Sequence, residues 1–194
     1  MAISTLNLQS FGLTDPGKDQ SIMWDDSASA LTVTGQNPTP VAHNWRLTTS
    51  YEVGTTSKAY ITSNLEQVDT TGQAVLGSVM TESSGVFTFP STGMWYVGMT
   101  LYTYDGADYA YCYSEIDVTT DNSSYTEIAQ AVGNGITATS LRETSSYVST
   151  IVDVTNTTNV KVKFGLSAAT TGVNVWGDSA RNGTNMVFIR LGDT

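Results

Sequence analysis

Cysteine is almost missing from this chain of 194 residues: Cys112 is the only one. No disulfide can close within one chain, which excludes a small disulfide-framed domain. Basic side chains are scarce as well, 8 Lys+Arg against 18 Asp+Glu, for a formal net charge of −10. A nucleic-acid binder needs a basic surface to displace counterions, so no nucleic-acid partner is expected. An anionic membrane surface is disfavoured for the same reason. Histidine occurs once, at His43 beside Pro40 and Asn44 in an expected loop. One histidine does not supply the clusters that zinc sites and catalytic triads use, so His43 reads as structural. No apolar run reaches membrane-spanning length. The opening "MAISTLNLQS" lacks the charged and continuous apolar regions of a secretion signal, and none is expected.

Thr, Ser, Gly, Asn and Tyr stand where Lys and Glu usually do, a mixture that favours strands and turns. From Trp45 onward, short β-branched and aromatic segments recur: "WRLTTSYEV", "KAYITS", "GVFTF", "GMWYVGMTLYTY", "YAYCYSEIDV", "YVSTIVDVT", "NVKVKFGLSA" and "TNMVFIRLG". Turn signals such as Pro90-Ser91-Thr92-Gly93 and Thr119-Thr120-Asp121-Asn122 separate them. Many short strands without a long 3.6-residue period predict an all-β sandwich or barrel. Residues 124–132 carry two readings, the strand "YTEIAQAVG" or a short helix opened by a Ser124–Glu127 capping box. Residues 1–40 read as an N-terminal arm or small hairpin, or as an extra strand on the main sheet. They hold an apolar patch, Ile22, Met23 and Trp24, between turn signals. Residues 41–194 form the main domain.

An antiparallel sandwich strand normally shows one face to the core and one to water. Two segments obey. Val160, Val162, Phe164 and Leu166 alternate with Lys161, Lys163 and Gly165. Cys112, Ser114 and Ile116 alternate with Tyr109, Tyr111, Tyr113, Glu115 and Asp117, a mostly wettable set. Three segments do not obey. Trp95, Val97, Met99 and Leu101 stand opposite Met94, Tyr96, Gly98, Thr100, Tyr102 and Tyr104. Val187, Ile189 and Leu191 stand opposite Met186 and Phe188. Val148, Val152 and Val154 stand opposite Tyr147 and Ile151. Apolar groups on both sides predict two unequal sheets, one of them covered a second time. The cover is a partner subunit, or the arm or a loop of the same chain.

Candidate sites are few. Cys112 sits on the expected core face and reads as a small buried hydrophobe. Asp25 and Asp26 lack the spaced oxygen ligands of a cation loop. Glu115, Asp117, Glu127 and Glu143 are isolated carboxylates without convergent spacing, so no glycosidase pair is assigned. Asn122, Asn156 and Asn182 match acceptor patterns that arise by chance in a Ser/Thr-rich chain. Tyr109, Tyr111 and Tyr113 form a possible ligand face for sugar or protein, or pack across strands under a loop. No catalytic residue, metal or cofactor is expected, and the protein is read as non-enzymatic.

The segment "GVFTFPSTGMWYVGMTLYTY" resembles the motif that opens the central strand of the tumour-necrosis-factor and complement one-q globular-head superfamily. "YVSTIVDVTNTTNVKVKFGLSA" and "VWGDSARNGTNMVFIRLGD" resemble that family's later strands, in the same order, so the likeness covers about Leu76 to Asp193. It implies an antiparallel jelly roll of two sheets that assembles as a tight homotrimer. The inner sheet of that family contains the three segments with two apolar faces. Tyr96, Tyr102, Tyr147, Ile151, Met186 and Phe188 would then line the trimer interface. By the same likeness Asp105 and Asp108 would flank an axial cation, although turn chemistry explains them as well. The arm, and the lack of a Gly-X-Y stem before the domain, depart from the family pattern.

"DPGKDQSIMWDDSASALTV", "SSGVFTFPSTGMW" and "FIRLGDT" also resemble segments of structural proteins from tailed-bacteriophage virions. The implied function is a trimeric capsid decoration (cement) protein, made in the host cytoplasm and resident in the virion. Ile22, Met23 and Trp24 would anchor it to the major capsid protein or another virion protein. The alternative is a receptor-binding fibre tip or knob that recognises host surface glycans.

Overall fold

A computed structural model describes residues 21–25, 30–34, 40–105, 110–135 and 142–194. The chain falls into two compact units, 1–39 and 40–194. The first contributes an antiparallel hairpin of β1 (Ser21–Asp25) and β2 (Ala30–Thr34). Its register pairs Ile22 with Val33, Met23 with Thr32 and Trp24 with Leu31.

The second unit is a two-sheet antiparallel jelly roll. The longer sheet contains β3 (Val41–Leu47), β4 (Thr49–Val53), β6 (Leu65–Gln67), β9 (Gly93–Asp105), β12 (Arg142–Val154), β14 (Val173–Asp178) and β15 (Asn185–Gly192). β9 pairs with β12 along one edge and with both β14 and β15 along the other. From there β15 leads to β3 and β6, and β14 to β4. The shorter sheet runs β11 (Thr126–Asn134), β10 (Tyr111–Thr119), β13 (Lys161–Ala168), β8 (Val86–Thr88) and β7 (Thr81–Ser83), with β5 (Ala59–Tyr60) also on β13. Successive strands keep changing sheet, as from β8 to β9 and from β12 to β13, so the chain wraps both layers around one core. Among the described residues there is no helix; the stretch 124–132 resolves as β11, not as a capped helix.

Alternation explains the core. In β9, Trp95, Val97, Met99 and Leu101 point between the sheets, and none is more than 1% exposed. Val148, Val152 and Val154 of β12 join them from the same sheet, and Val162, Phe164 and Leu166 of β13 from the other. Where the layers meet, Phe87, Phe164 and Phe188 form a triangle of rings with centroids 5.2 to 5.8 Å apart. These separations suit edge-to-face and tilted contacts, which add to the burial of apolar area. β7 and β8 are joined by Ser84 and Gly85, both at positive φ (52° and 80°), the geometry of a tight two-residue hairpin. A side chain at Gly85 would also meet the Ile61 carbonyl oxygen at 2.4 Å, so glycine is required twice over.

Two sequence expectations are corrected here. Met186 and Phe188, placed at a subunit interface by the family likeness, point inward and are fully buried within the single chain. Val187, Ile189 and Leu191 take the outer side instead. Both faces of β15 are apolar, so alternation defined two sets but not which one was inside; the aromatic triangle claims Phe188. His43 is likewise no loop residue. It lies in β3, stacked on Phe188 with centroids 5.5 Å apart and planes 25° apart.

His43 Nε2 accepts a hydrogen bond from the Met80 backbone N–H at 3.1 Å, which makes Nδ1 the protonated nitrogen of the neutral ring. Burial lowers its pKa from 6.5 to about 4. Protonation is therefore easier in the unfolded chain, and the stabilisation is complete above pH 6.5 and lost as pH falls toward 4. Because this is the only histidine, a urea-unfolding series should show a loss of about 2 kcal/mol between pH 7 and 5. A His43→Gln variant should be flatter over that range; an equally steep profile would exclude His43 as the cause.

Candidate functional site

The outward face of the longer sheet carries the unusual chemistry. Cross-strand partners share a face, so the register reads off rows of side chains. One row crosses the sheet as Ile151, Tyr96, Ile189 and Ala42, and an isolated bridge continues it to Leu76. No charged group interrupts it. Ile151 and Leu76 are each more than half exposed, and Leu191 beside them equally so. The next row is Ser149, Gly98, Val187 and Asn44. Gly98 makes room for Tyr147, whose hydroxyl would lie 2.5 Å from a Cβ at that position. The Tyr147 and Tyr96 hydroxyls are hydrogen-bonded at 2.6 Å. Burial, reinforced by that bond, pushes the Tyr147 phenol up to about 12. Tyr96, Tyr147 and Ile151 therefore come together as expected, half-solvated on a flat apolar field.

Further along the same face the polarity changes. Tyr102 meets Trp176 of β14, with ring centroids 5.2 Å apart and planes 48° apart. The two rings floor an open cavity of about 600 Å³. Glu143, Thr144 and Ser145 of β12 form one wall, and Arg181, Asn182 and Gly183 of the β14–β15 connection form the other. Trp176 is held in place. A Cβ on Gly183 would fall 1.8 Å from its ring, and the Arg181 guanidinium stands over the ring at 5.2 Å. Arg181 also pairs with Asp178 at 2.8 Å. The Asp178 carboxyl is held below its usual range, first by the Ala180 backbone N–H and then by Arg181. Partial burial and a hydrogen bond to Glu143 raise the Tyr102 phenol. Asn182 Oδ1 is shielded from solvent and accepts no hydrogen bond. Tyr102 thus faces outward as expected, but its ring belongs to this cavity.

The shorter sheet holds a different cluster, and a third correction. Glu115 and Asp117, read as wettable and isolated, are buried at 2% and 3% exposure. Glu115, Asp117 and Glu127 offer carboxylate oxygens within 4.8 Å of one another. Lys58 Nζ sits among them, 3.0 Å from Glu115 Oε2, 3.0 Å from Asp117 Oδ1 and 2.5 Å from Glu127 Oε2. The contact with Glu115 is charge pairing without hydrogen-bond alignment, since Oε2 has no hydrogen-bond partner. Tyr60 donates to Asp117 at 2.6 Å, and Ser167 donates to Glu115 Oε1 at 2.8 Å. Despite desolvation, the carboxylate partners, Glu127 first, push the Lys58 pKa up. An ammonium fills the centre that a cation would otherwise take. Sequence spacing missed this cluster because Lys58 and Tyr60 arrive from a distant loop and from β5.

The other candidates stay apart. Tyr111 and Tyr113 meet at the far end of β10 with ring centroids 4.9 Å apart and planes 55° apart, while Tyr109 and Asp108 lie outside the described residues. Ile22, Met23 and Trp24 lie in β1. Asp105 ends β9, and Asp26 lies outside the described residues. Cys112 is buried, and burial pushes its thiol up to about 12, which suits an inert packing residue. Asn156 turns its own loop by accepting from the Thr158 and Asn159 backbone N–H groups. The sequence reading singled out neither Trp176 nor Arg181; the only hint was an aromatic followed by a polar loop in "VWGDSARNG".

The chain matches no protein-family model and no curated protein sequence. Its structure is similar to crystal structures of murine APRIL, a member of the tumour-necrosis-factor family, solved at pH 8.0, 8.5 and 5.0. The TM-scores are 0.52, 0.53 and 0.55, each at 6% identity over 78% of this chain and 99% of the other. The fold is therefore a tumour-necrosis-factor-like jelly roll.

The Lys58 cluster gives a stability prediction. Lys58→Met leaves two buried carboxylates without their counter-ion, and breaking such a pair from one side costs roughly 3–5 kcal/mol. Urea unfolding should show that loss, with partial recovery when Glu115→Gln and Asp117→Asn are added. A change below about 0.5 kcal/mol for Lys58→Met would mean the cluster behaves as a surface pair.

Proposed function

We propose that the chain is the subunit of a homotrimeric, non-enzymatic virion structural protein, a decoration protein that stabilises a phage capsid. The observation that carries this reading is the uncharged row Ile151–Tyr96–Ile189–Ala42–Leu76 on the outer face of the longer sheet. Covering an exposed Ile or Leu side chain contributes roughly 1.5–3 kcal/mol. Ile151, Ile189, Leu191 and Leu76 together thus make a strong drive toward self-association. In a cyclic trimer each copy offers this face to its neighbours around one axis, and the assembly closes instead of growing into fibres. The low content of basic groups, the Thr- and Ser-rich surface and the β1–β2 hairpin fit a lattice-bound plug whose arm, with Ile22, Met23 and Trp24, grips the major capsid protein.

Light scattering on the size-exclusion peak should give three times the 20.7 kDa of one chain at micromolar concentration. Ile151→Glu puts a charge in the covered face and should yield monomers that keep the native circular dichroism. Wild-type monomers at that concentration would remove the trimer. Labelled trimer added to capsids stripped of decoration should bind, and deletion of residues 1–39 should abolish binding. Unchanged binding by the deletion would remove the arm's role, and binding to host cells alone would remove the capsid reading.

A further inference from the structure

We propose that the cavity floored by Tyr102 and Trp176 is a binding site for a neutral saccharide. This goes beyond the trimeric reading and does not depend on it.

The shape and the chemistry each narrow the ligand. At about 600 Å³ the cavity lies within the usual range for small-molecule sites. Two rings set at 48° make an apolar corner, and the apolar C–H face of a sugar ring fits against such a surface. Trp176 is fixed between Gly183 and the Arg181 guanidinium, so it spends little conformational freedom on binding. Around the corner stand groups that match hydroxyls. The Glu143 carboxylate accepts, and the Ser145 hydroxyl both donates and accepts. Asn182 lines the opposite wall through atoms other than its Oδ1, which has no solvent-exposed surface.

Other ligand classes fit less well. A phosphate or nucleotide needs uncompensated positive charge, yet Arg181 is already paired with Asp178 and Glu143 adds a carboxylate. A purely apolar ligand would strip water from Glu143 and Ser145 without replacing their hydrogen bonds. The site is distinct from the Tyr111–Tyr113 pair on β10, which belongs to the other sheet.

The test uses the full chain and saturation-transfer NMR with the methyl glycosides of glucose, galactose, mannose and N-acetylglucosamine. At least one should bind in the millimolar range, with transfer strongest at the C–H protons of a single ring face. Tyr102→Ala and Glu143→Ala should each weaken that binding about tenfold or more. Tyr102→Phe keeps the ring and should bind within about threefold of wild type. Should Tyr102→Ala fail to fold by NMR dispersion, Glu143→Ala, at an exposed position of β12, decides the case. The proposal is overturned if no glycoside shows transfer, or if inorganic phosphate binds in place of the glycosides. It is also overturned if binding survives Glu143→Ala, or is lost in Tyr111→Ala and kept in Tyr102→Ala.

Discussion

The pairing of β9 with β12 runs the length of both strands, from Gly93 opposite Val154 to Asp105 opposite Arg142. On its other edge β9 hydrogen-bonds to β14 and β15. With partners on both sides its register has nowhere to slip, and a shift by one residue would exchange its two faces entirely. That register sends Trp95, Val97, Met99 and Leu101 into the core. It also aims Tyr96 and Tyr102 outward, so the apolar row and the cavity floor are consequences of the same alternation. The core and the outer face are two readings of one constraint.

The scarcity of basic side chains shapes the rest. Several of the few present serve structure. Arg46 is buried and reaches Thr70 at 2.5 Å, Glu66 at 2.6 Å and Asp69 at 2.8 Å, tying the segment after β6 to β3. Lys58 ties the start of β5 to the carboxylates of β10 and β11. Lys163 stands 4.0 Å above the Tyr125 ring, a cation–π contact. Arg181 covers Trp176, and Arg190 reaches the Thr92 carbonyl at 3.0 Å. With these cations tied up, the outer face of the longer sheet keeps its uncharged row, while the shorter sheet exposes Ile128 and Val132 on β11. A net-acidic chain repels copies of itself except where apolar groups meet.

Much of the fold was legible before any coordinates. The two face sets of β9, β12 and β13 follow from alternation; the lysines of β13 decide its inner side, and the family likeness that of β9 and β12. β15 defeated the same reasoning because Met186 and Phe188 rival Val187, Ile189 and Leu191 in hydrophobicity. Only the neighbouring Phe87 and Phe164 rings decide between them. Glu115 and Asp117 failed for a different reason. Polar alternation predicts an outer face, and outer it is, but the Lys58 and Tyr60 side chains reach across it from the edge of β13. The cavity was not legible at all. Its groups come from β9, β12, β14 and the β14–β15 connection, and no local spacing reports that these converge.

At 6% identity the resemblance to murine APRIL carries the layering of strands and no side-chain chemistry. Function on this scaffold has to be sought where the sequence departs from what stability alone requires. Two places on the longer sheet qualify. Ile151, Ile189 and Leu76 gain nothing for a lone chain by standing in water, so their presence points to something that covers them. Trp176, its ring edge against Gly183 and an arginine beside it, is held in place without being sealed in the core. Between the two lies Gly98, where the backbone is bare enough for Tyr147 to lie down and hydrogen-bond Tyr96. That glycine keeps the apolar end flat enough for another copy of the sheet to approach, while the cavity end stays open and polar. One strand, β9, therefore carries the apolar row proposed to self-associate, at Tyr96, and the floor of the cavity proposed to take a small polar ligand, at Tyr102.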